Sequence, residues 1–299
     1  MEDLKDKNCF ITGAASGIGR SFAIALAKEG MNVFISDIDL ESLQKVKCDI
    51  EDLGSSIWAC KCDVSKFKDF ENAAKEFYSK LGNLDLLINN AGIAIGGDMF
   101  ELELEDWKSV LDVNLWSIIH SLKIFLPRMV ERGSGHIVNV ASGAGVFGSS
   151  EPLPYITSKF AVVGLSEALF GRLRNFGIDV SVVIPSYIKT NIFDSMKTRY
   201  SKKLVNEIGK EKLMEIEKKI INEIKSRSMD PDRAVKKYIR GIKKKQLYVF
   251  DLRTPLILMG LKAQKPQEYE EFLVTYNKNF ANIIRDQFLK YGIDVNLYM

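Results

Sequence analysis

Histidine is almost missing from this 299-residue chain: only His120 and His136 occur, and neither lies in a glycine-rich loop. That argues against a Ser-His-Asp hydrolase and against a histidine-built metal centre. Cysteine is sparse too. Cys9, Cys48, Cys60 and Cys62 contain no Cys-x-x-Cys spacing, so neither a structural zinc site nor a disulfide framework is expected, and no metal is predicted. Unpaired thiols fit a reducing cytoplasm, which is the expected location. No apolar run approaches the ~18 to 20 residues of a membrane span; the longest candidate is residues 255–261. The charged start, residues 1–7, lacks the apolar core of a signal peptide, so export is not expected. Internal repeats and low-complexity tracts are missing as well.

What is present is an ordinary globular composition, 46% hydrophobic and 27% charged, with enough chain to bury a sizeable core. Charge is uneven along it. Residues 1–190 hold 19 Lys/Arg against 25 Asp/Glu, whereas residues 191–299 hold 23 against 14. A basic C-terminal third on an acidic body fits intramolecular complementarity and solvated helix faces first, and an acidic substrate or anionic lipid surface second. Neither a nucleic-acid partner nor a membrane span is expected; peripheral membrane contact is a minor alternative.

Residues 8–12 read as a short apolar strand that runs into Gly13, Ser16, Gly17, Ile18 and Gly19, and then into a helical pattern. Glycines at a strand-to-helix turn let the backbone approach a pyrophosphate, and the helix N-terminus adds N–H groups and partial positive charge. The next apolar run, residues 32–36, ends at Asp37, whose carboxylate is placed to accept both hydroxyls of an adenosine ribose and to repel a 2′-phosphate. No basic residue beside it compensates, so NAD(H) is predicted over NADP(H). Further strand patterns end at Asp63 and Val64, at Asn90, at Ser142 and at Pro185, with helical patterns between them. This alternation predicts right-handed crossovers and a parallel sheet covered on both faces, with sites at the strands' C-terminal ends.

Tyr155 and Lys159 lie four residues apart and share a helix face. Free tyrosine titrates near pH ~10, and a fixed positive charge beside it favours the phenolate, moving it toward the range where acid-base work is efficient. Ser142, at a strand end upstream, can converge with Tyr155 on one carbonyl oxygen. An isolated Tyr-x-x-x-Lys is usually a surface pair, so its meaning depends on the rest of the chain.

The segments 12–19 (Thr-Gly-Ala-Ala-Ser-Gly-Ile-Gly), 89–92 (Asn-Asn-Ala-Gly), Asn114, Ser142, 155–159 (Tyr-Ile-Thr-Ser-Lys) and 185–190 resemble, in order and spacing, the short-chain dehydrogenase/reductase family. The resemblance spans residues 5–250. It implies a catalytic tetrad of Asn114, Ser142, Tyr155 and Lys159. Ser142 would orient the substrate carbonyl, Tyr155 would move the proton, and Lys159 would lower the Tyr155 pKa and hold the nicotinamide ribose. Asn114 would bend its helix around a water that links Lys159 to solvent. It also implies adenine contacts from Asp63 and Val64, a ribose contact from Asn90 beside Ala91 and Gly92, and carboxamide contacts from Ile188 and Thr190 beyond Pro185. Members are usually tetramers or dimers, so a homotetramer or homodimer is expected. One residue departs from the pattern: Ser186 follows Pro185, where the family usually has glycine.

The last third exceeds a minimal member. Residues 200–226 place Leu204, Ile208, Leu213, Ile216, Ile220 and Ile224 at helical spacing, which reads as an enlarged lid whose apolar face lines the substrate pocket or packs on the body. Asp230 and Pro231 open another helix, residues 246–250 form a last strand, and Tyr269, Phe272, Leu273, Tyr276, Phe280, Ile283 and Ile284 form one stripe. That stripe is expected to roof the active site, bury a subunit contact or lie on a membrane.

The expected fold is therefore α/β: a Rossmann-like doubly wound parallel sheet of about seven strands with an enlarged helical C-terminal lid. One domain is expected over 1–299, divided into a core (1–190), lid helices (191–245), and a last strand with a helical extension (246–299). The expected activity is NAD(H)-dependent interconversion of a secondary alcohol and a ketone, the substrate being bulky and apolar (steroid, lipid-derived or cyclic). The alternatives are a small acetoin- or diol-type substrate, a non-catalytic dinucleotide-binding protein, or an epimerase or dehydratase on the same fold.

Overall fold

Short runs rich in Val, Ile, Leu and Phe, each closed by a polar or glycine turn, become strands buried on both faces, as a parallel sheet requires. The computed structural model describes residues 3–97, 99–150 and 152–294. The strands are β1 (Asn8–Thr12), β2 (Asn32–Asp37), β3 (Ile57–Lys61), β4 (Leu86–Asn89), β5 (Ile95–Gly97), β6 (Gly135–Val140), β7 (Ile178–Ile184), β8 (Lys197–Arg199) and β9 (Tyr248–Phe250). Seven of them form one parallel sheet in the order β3-β2-β1-β4-β6-β7-β9. The order reverses between β1 and β4, which opens a crevice at their C-terminal ends.

Helices α1 (Gly17–Lys28), α2 (Leu40–Glu51), α3 (Phe67–Leu81), α4 (Leu104–Leu111), α5 (Ser117–Arg132), α6 (Leu153–Leu173), α7 (Lys202–Ile208), α8 (Lys210–Arg227), α9 (Pro231–Lys243), α10 (Thr254–Gln264) and α11 (Pro266–Leu289) complete the chain. One sheet face is covered by Phe22, Leu26, Leu43, Val46, Tyr238 and Ile242 from α1, α2 and α9. The other is covered by Phe70, Phe77, Phe125 and Met129 from α3 and α5, packed around Phe10 and Phe34 of the sheet. The Phe10 ring centroid lies 5.2 Å from Phe34 and 5.1 Å from Phe125. Burying each such ring contributes roughly 1.5 to 3 kcal/mol, so this cluster pins the helices that carry the crevice.

Residues 104–132 form one continuous helical rod, long and apolar enough to span a membrane by length and composition, contrary to the sequence expectation that no run qualifies. The rod contains charged residues, which interrupt any simple apolar run, and two of its buried residues, Phe125 and Met129, belong to the phenylalanine cluster.

Of the two roles expected for the apolar face of residues 200–226, lining the pocket or packing, the structure shows packing. The apolar faces of α7 and α8, which meet at Gly209, do not line the crevice. Leu213 and Ile216 pack instead with Phe288 and Ile293, joined by Leu204, Ile208, Ile220 and Ile284. Helix α10, which the sequence reading left unassigned, leads into the 24-residue α11. The α11 stripe docks on the chain that joins β6 to α6. Phe147 meets Phe272 and Tyr276 at centroid distances of 6.2 and 5.7 Å, and the Ser150 hydroxyl donates to Asn277 Oδ1 at 2.9 Å. A separate pairing of β5 with β8, also unforeseen, is held by Asp106, which is 3% exposed at its side chain and takes Arg199 at 2.8 and 2.9 Å.

His136 of β6 is wholly buried, with Nε2 2.9 Å from the Ser181 hydroxyl. Ser181 donates its own proton to the Gln246 carbonyl, so Nε2 carries the imidazole proton. Burial pushes the His136 pKa down to about 4. Between about 6.5 and about 4 the unfolded chain therefore binds the proton and the folded one does not, so stability is lost as pH falls through that window, by roughly 3 kcal/mol at its lower end. Thermal unfolding followed from pH 7 to 4 should show this loss, and His136→Gln should flatten it; an unchanged slope in the variant would assign the loss elsewhere.

Candidate active site

The crevice at the C-terminal strand ends is a cleft of about 700 Å³. Every candidate residue from the sequence lines it except Gly19 and Asn114: Gly13, Ser16, Gly17, Ile18, Asp37, Asp63, Val64, Asn90, Ala91, Gly92, Ser142, Tyr155, Lys159, Pro185, Ile188 and Thr190 are in its wall, while Asn114 is buried. Gly19 has a different task. A Cβ there would sit 2.2 Å from the Gly13 carbonyl, so its lack of a side chain lets α1 press against the turn that precedes it.

One half of the cleft is a backbone cradle. Gly13 holds φ at +65°, and a Cβ on it would meet Ala91 Cα at 2.7 Å. The first turn of α1 opens into the cleft through Ser16, Gly17 and Ile18, and no side chain caps it. Its N–H groups therefore remain available to an anion. Thr12, which stands in the quoted motif but was assigned no role from the sequence, steadies the turn: its hydroxyl oxygen accepts from the Asn90 and Ala91 amides at 3.0 and 3.1 Å. Asn90 returns its amide protons to the Thr12 and Gly13 carbonyls at 3.0 and 2.9 Å, so its donors brace the cradle rather than face the cleft. The Asp37 carboxylate accepts from Ala15 and Asp39 N–H, each at 3.0 Å. Burial raises the Asp63 carboxyl, but hydrogen bonds from Ser65 and Lys66 outweigh it and hold that group below the usual range. Among the described residues, the charged ones in the wall are Asp37, Asp63, Glu105, Asp112 and a single cation, Lys159. Such a cradle fits a dinucleotide: an open helix N-terminus for the pyrophosphate and carboxylates at the ribose end.

The other half holds the chemistry. Lys159, 3% exposed, donates from Nζ to the Val140 carbonyl at 3.0 Å and lies 5.5 Å from the Tyr155 ring centre. Burial pushes its pKa down to about 8, so the ammonium persists at neutral pH but only narrowly. The rod 104–132 widens into a π-turn at Asp112–Trp116, which contains Asn114. The Asn114 amide donates to the Ile93 carbonyl at 3.0 Å and the Ser158 hydroxyl at 2.9 Å, and its Oδ1 accepts from Ile93 N–H at 2.8 Å. A Cβ on Gly92 would lie 3.4 Å from Asn114 Oδ1 and 3.5 Å from Lys159 Nζ, which measures how closely the three approach. Ser142 Oγ accepts from Ala144 N–H at 3.2 Å, which fixes its oxygen while leaving the hydroxyl proton for another acceptor. A phenol, a hydroxyl and a buried ammonium around one end of a dinucleotide cradle can bind an alcohol or carbonyl oxygen and move one proton to or from it.

Beyond them the wall is formed by Ile93, Ala94, Pro152, Ile192, Phe193 and Met196, with Asn191 and Ser195 as polar neighbours. None of these was singled out from the sequence, because loop residues carry no periodicity to mark them. Ser186 causes no strain: the only non-glycine residues with positive φ among those described are Asp6 and Lys245. Ile188 and Thr190 thus reach the cleft despite the missing glycine.

A family model described as short chain dehydrogenase matches residues 7–201. The CLA biosynthesis dehydrogenase/reductase of Lactiplantibacillus plantarum is 38% identical over 202 residues, covering 67% of this chain and 71% of the relative. Cyclohexanol dehydrogenase of an Acinetobacter species is 40% identical over 187 residues, covering 62% and 74%. A short chain dehydrogenase/reductase from Burkholderia phymatum, solved in complex with NAD, superposes with a TM-score of 0.79 at 29% identity, covering 89% of this chain and 96% of that one. The fold, the cleft and these matches agree: the chain belongs to the short-chain dehydrogenase/reductase family and is an oxidoreductase that uses a nicotinamide dinucleotide.

Proposed function

We propose that this protein is an NAD(H)-dependent alcohol dehydrogenase and ketone reductase acting on a compact cyclic secondary alcohol. The observation that carries the reaction type is the grouping of Ser142, Tyr155, Lys159 and Asn114 at one end of the cradle. A bound nicotinamide supplies or takes the hydride. Ser142 Oγ–H orients the substrate oxygen, and Tyr155 gives that oxygen its proton in reduction or removes it in oxidation. Lys159 stabilises the phenolate formed when Tyr155 is deprotonated. Asn114, by gripping Ile93 and Ser158, holds the π-turn and the cleft floor in register with Lys159.

The walls support the proposed substrate size. The apolar stripe of α7 and α8 is occupied by α11 and provides no extra lining for a steroid-sized ligand. Ile93, Ala94, Pro152, Ile192, Phe193 and Met196 give the cleft an apolar lining, and the similarity to a cyclohexanol dehydrogenase points the same way. NAD is preferred because, among the described residues, four carboxylates and no cation but Lys159 line the cleft, a setting hostile to an added 2′-phosphate. A homodimer or homotetramer belongs to this reading, supported by Leu104, Phe67 and Trp116, which are 88%, 43% and 49% exposed around α3 to α5.

Purified protein supplied with NADH should reduce cyclohexanone-type ketones and turn over acetoin and steroid ketones poorly. Tyr155→Phe should lower turnover by about 10² to 10⁴-fold while the NADH dissociation constant stays nearly unchanged. Full turnover in the variant would remove Tyr155 from the chemistry, and NADH binding without turnover of any ketone by the parent would leave a binding protein. Asp37→Ala should narrow the NAD/NADP ratio of kcat/KM by about tenfold; an unchanged ratio would show that this carboxylate does not face the ribose.

A further inference from the structure

The loop from Pro185 to Thr190 forms part of the cleft wall, and three neighbours hold it. The Pro185 carbonyl accepts from Gly143 N–H at 2.8 Å. Tyr187 and Lys189 bracket Met229, whose amide donates to the Tyr187 carbonyl and whose carbonyl accepts from Lys189 N–H, both at 2.9 Å. Between these pins, Ser186 donates twice to one carboxylate: its N–H to Asp251 Oδ1 at 2.9 Å and its hydroxyl to Oδ2 in a short hydrogen bond.

Asp251 follows β9 directly and is 5% exposed. Its main-chain carbonyl accepts from Lys237 Nζ of α9 at 2.6 Å. The next residue of α9, Tyr238, is wholly buried, and burial together with the Asp251 charge pushes its phenol up. Its ring lies 6.1 Å from that of Phe22 on α1, and Ser21 of α1 donates to Asp232 at 2.5 Å. Asp251 thus stands on the same frame as the helix whose N-terminus opens into the cradle.

A buried carboxylate is costly unless hydrogen bonded, and bonds to a charged group are about twice as strong as neutral ones. Any shift of Ser186 would strip Asp251 of two such donors at once. Ser186 itself lines the cleft, with Ile188 and Thr190 two and four residues further on. Resting on the dinucleotide reading of the cleft, we propose that Asp251 is a positioning residue: through Ser186 it sets the wall that receives the nicotinamide end of the cofactor, and it does not act on the adenosine end. The hydroxyl at position 186 gives this clamp a second donor that glycine cannot provide.

The test compares NADH with ADP-ribose, which lacks the nicotinamide, by calorimetry on the full-length protein. Asp251→Ala should weaken NADH about tenfold or more and leave ADP-ribose within about twofold. Ser186→Gly, which keeps the N–H donor and loses the hydroxyl, should produce a smaller loss confined to NADH. Asp251→Asn, which keeps an acceptor and the shape, should recover part of the affinity; it also serves if the alanine variant does not fold. KM for NADH should rise more than kcat falls. Equal weakening of both ligands, or none, would overturn the clamp. A parent protein that binds neither ligand would overturn the dinucleotide reading itself, and the clamp with it.

Discussion

One buried cation constrains the centre of this molecule. A lysine ammonium withdrawn from water loses much of its solvation, and here the Val140 carbonyl, 3.0 Å away, provides part of the replacement. The residual penalty shows as a pKa pushed down to about 8. The surroundings fit that placement. Gly92 leaves room beside Nζ, the π-turn brings Asn114 to the same spot, and Ser158, one position before Lys159, receives the Asn114 amide. Strand, loop and two helices meet at this side chain, so moving any of them disturbs the others.

The rest of the architecture delivers parts to that centre. The phenylalanine cluster under the sheet holds α3 and α5, and through the rod 104–132 it sets where Asn114 stands. On the opposite face, α9 packs on α1 and carries the residues that flank Asp251. The aromatic stripe of α11 presses on Phe147, within the chain that links Ser142 to Tyr155. Each contact is far from the reacting atoms and yet bears on their spacing, which is where small displacements are most damaging to catalysis.

Much of this was legible in the sequence, and for a shared reason. Gly13, Asp37, Asp63, Asn90, Ser142 and Pro185 all follow apolar runs, and a parallel sheet must bring the ends of such runs together. Asp251 also ends a strand, but its meaning lies in Ser186, 65 residues earlier, and no local pattern links the two. Periodicity showed which residues of α7, α8 and α11 are apolar; it did not show that the first two pack on the end of the third rather than over the cleft. The pairing of β5 with β8 escaped because three-residue strands carry too little alternation to read.

The most direct test of the buried-cation view is the pH dependence of kcat/KM for NADH-driven ketone reduction, which reports the essential groups of the free enzyme. Below about pH 8 Lys159 keeps its proton; above it the ammonium is lost, and with it the stabilisation of the Tyr155 phenolate. The rate constant should therefore be steady in the acid to neutral range and fall as pH rises through about 8. A profile that runs level through that value and well beyond would contradict a lysine whose charge is both buried and needed.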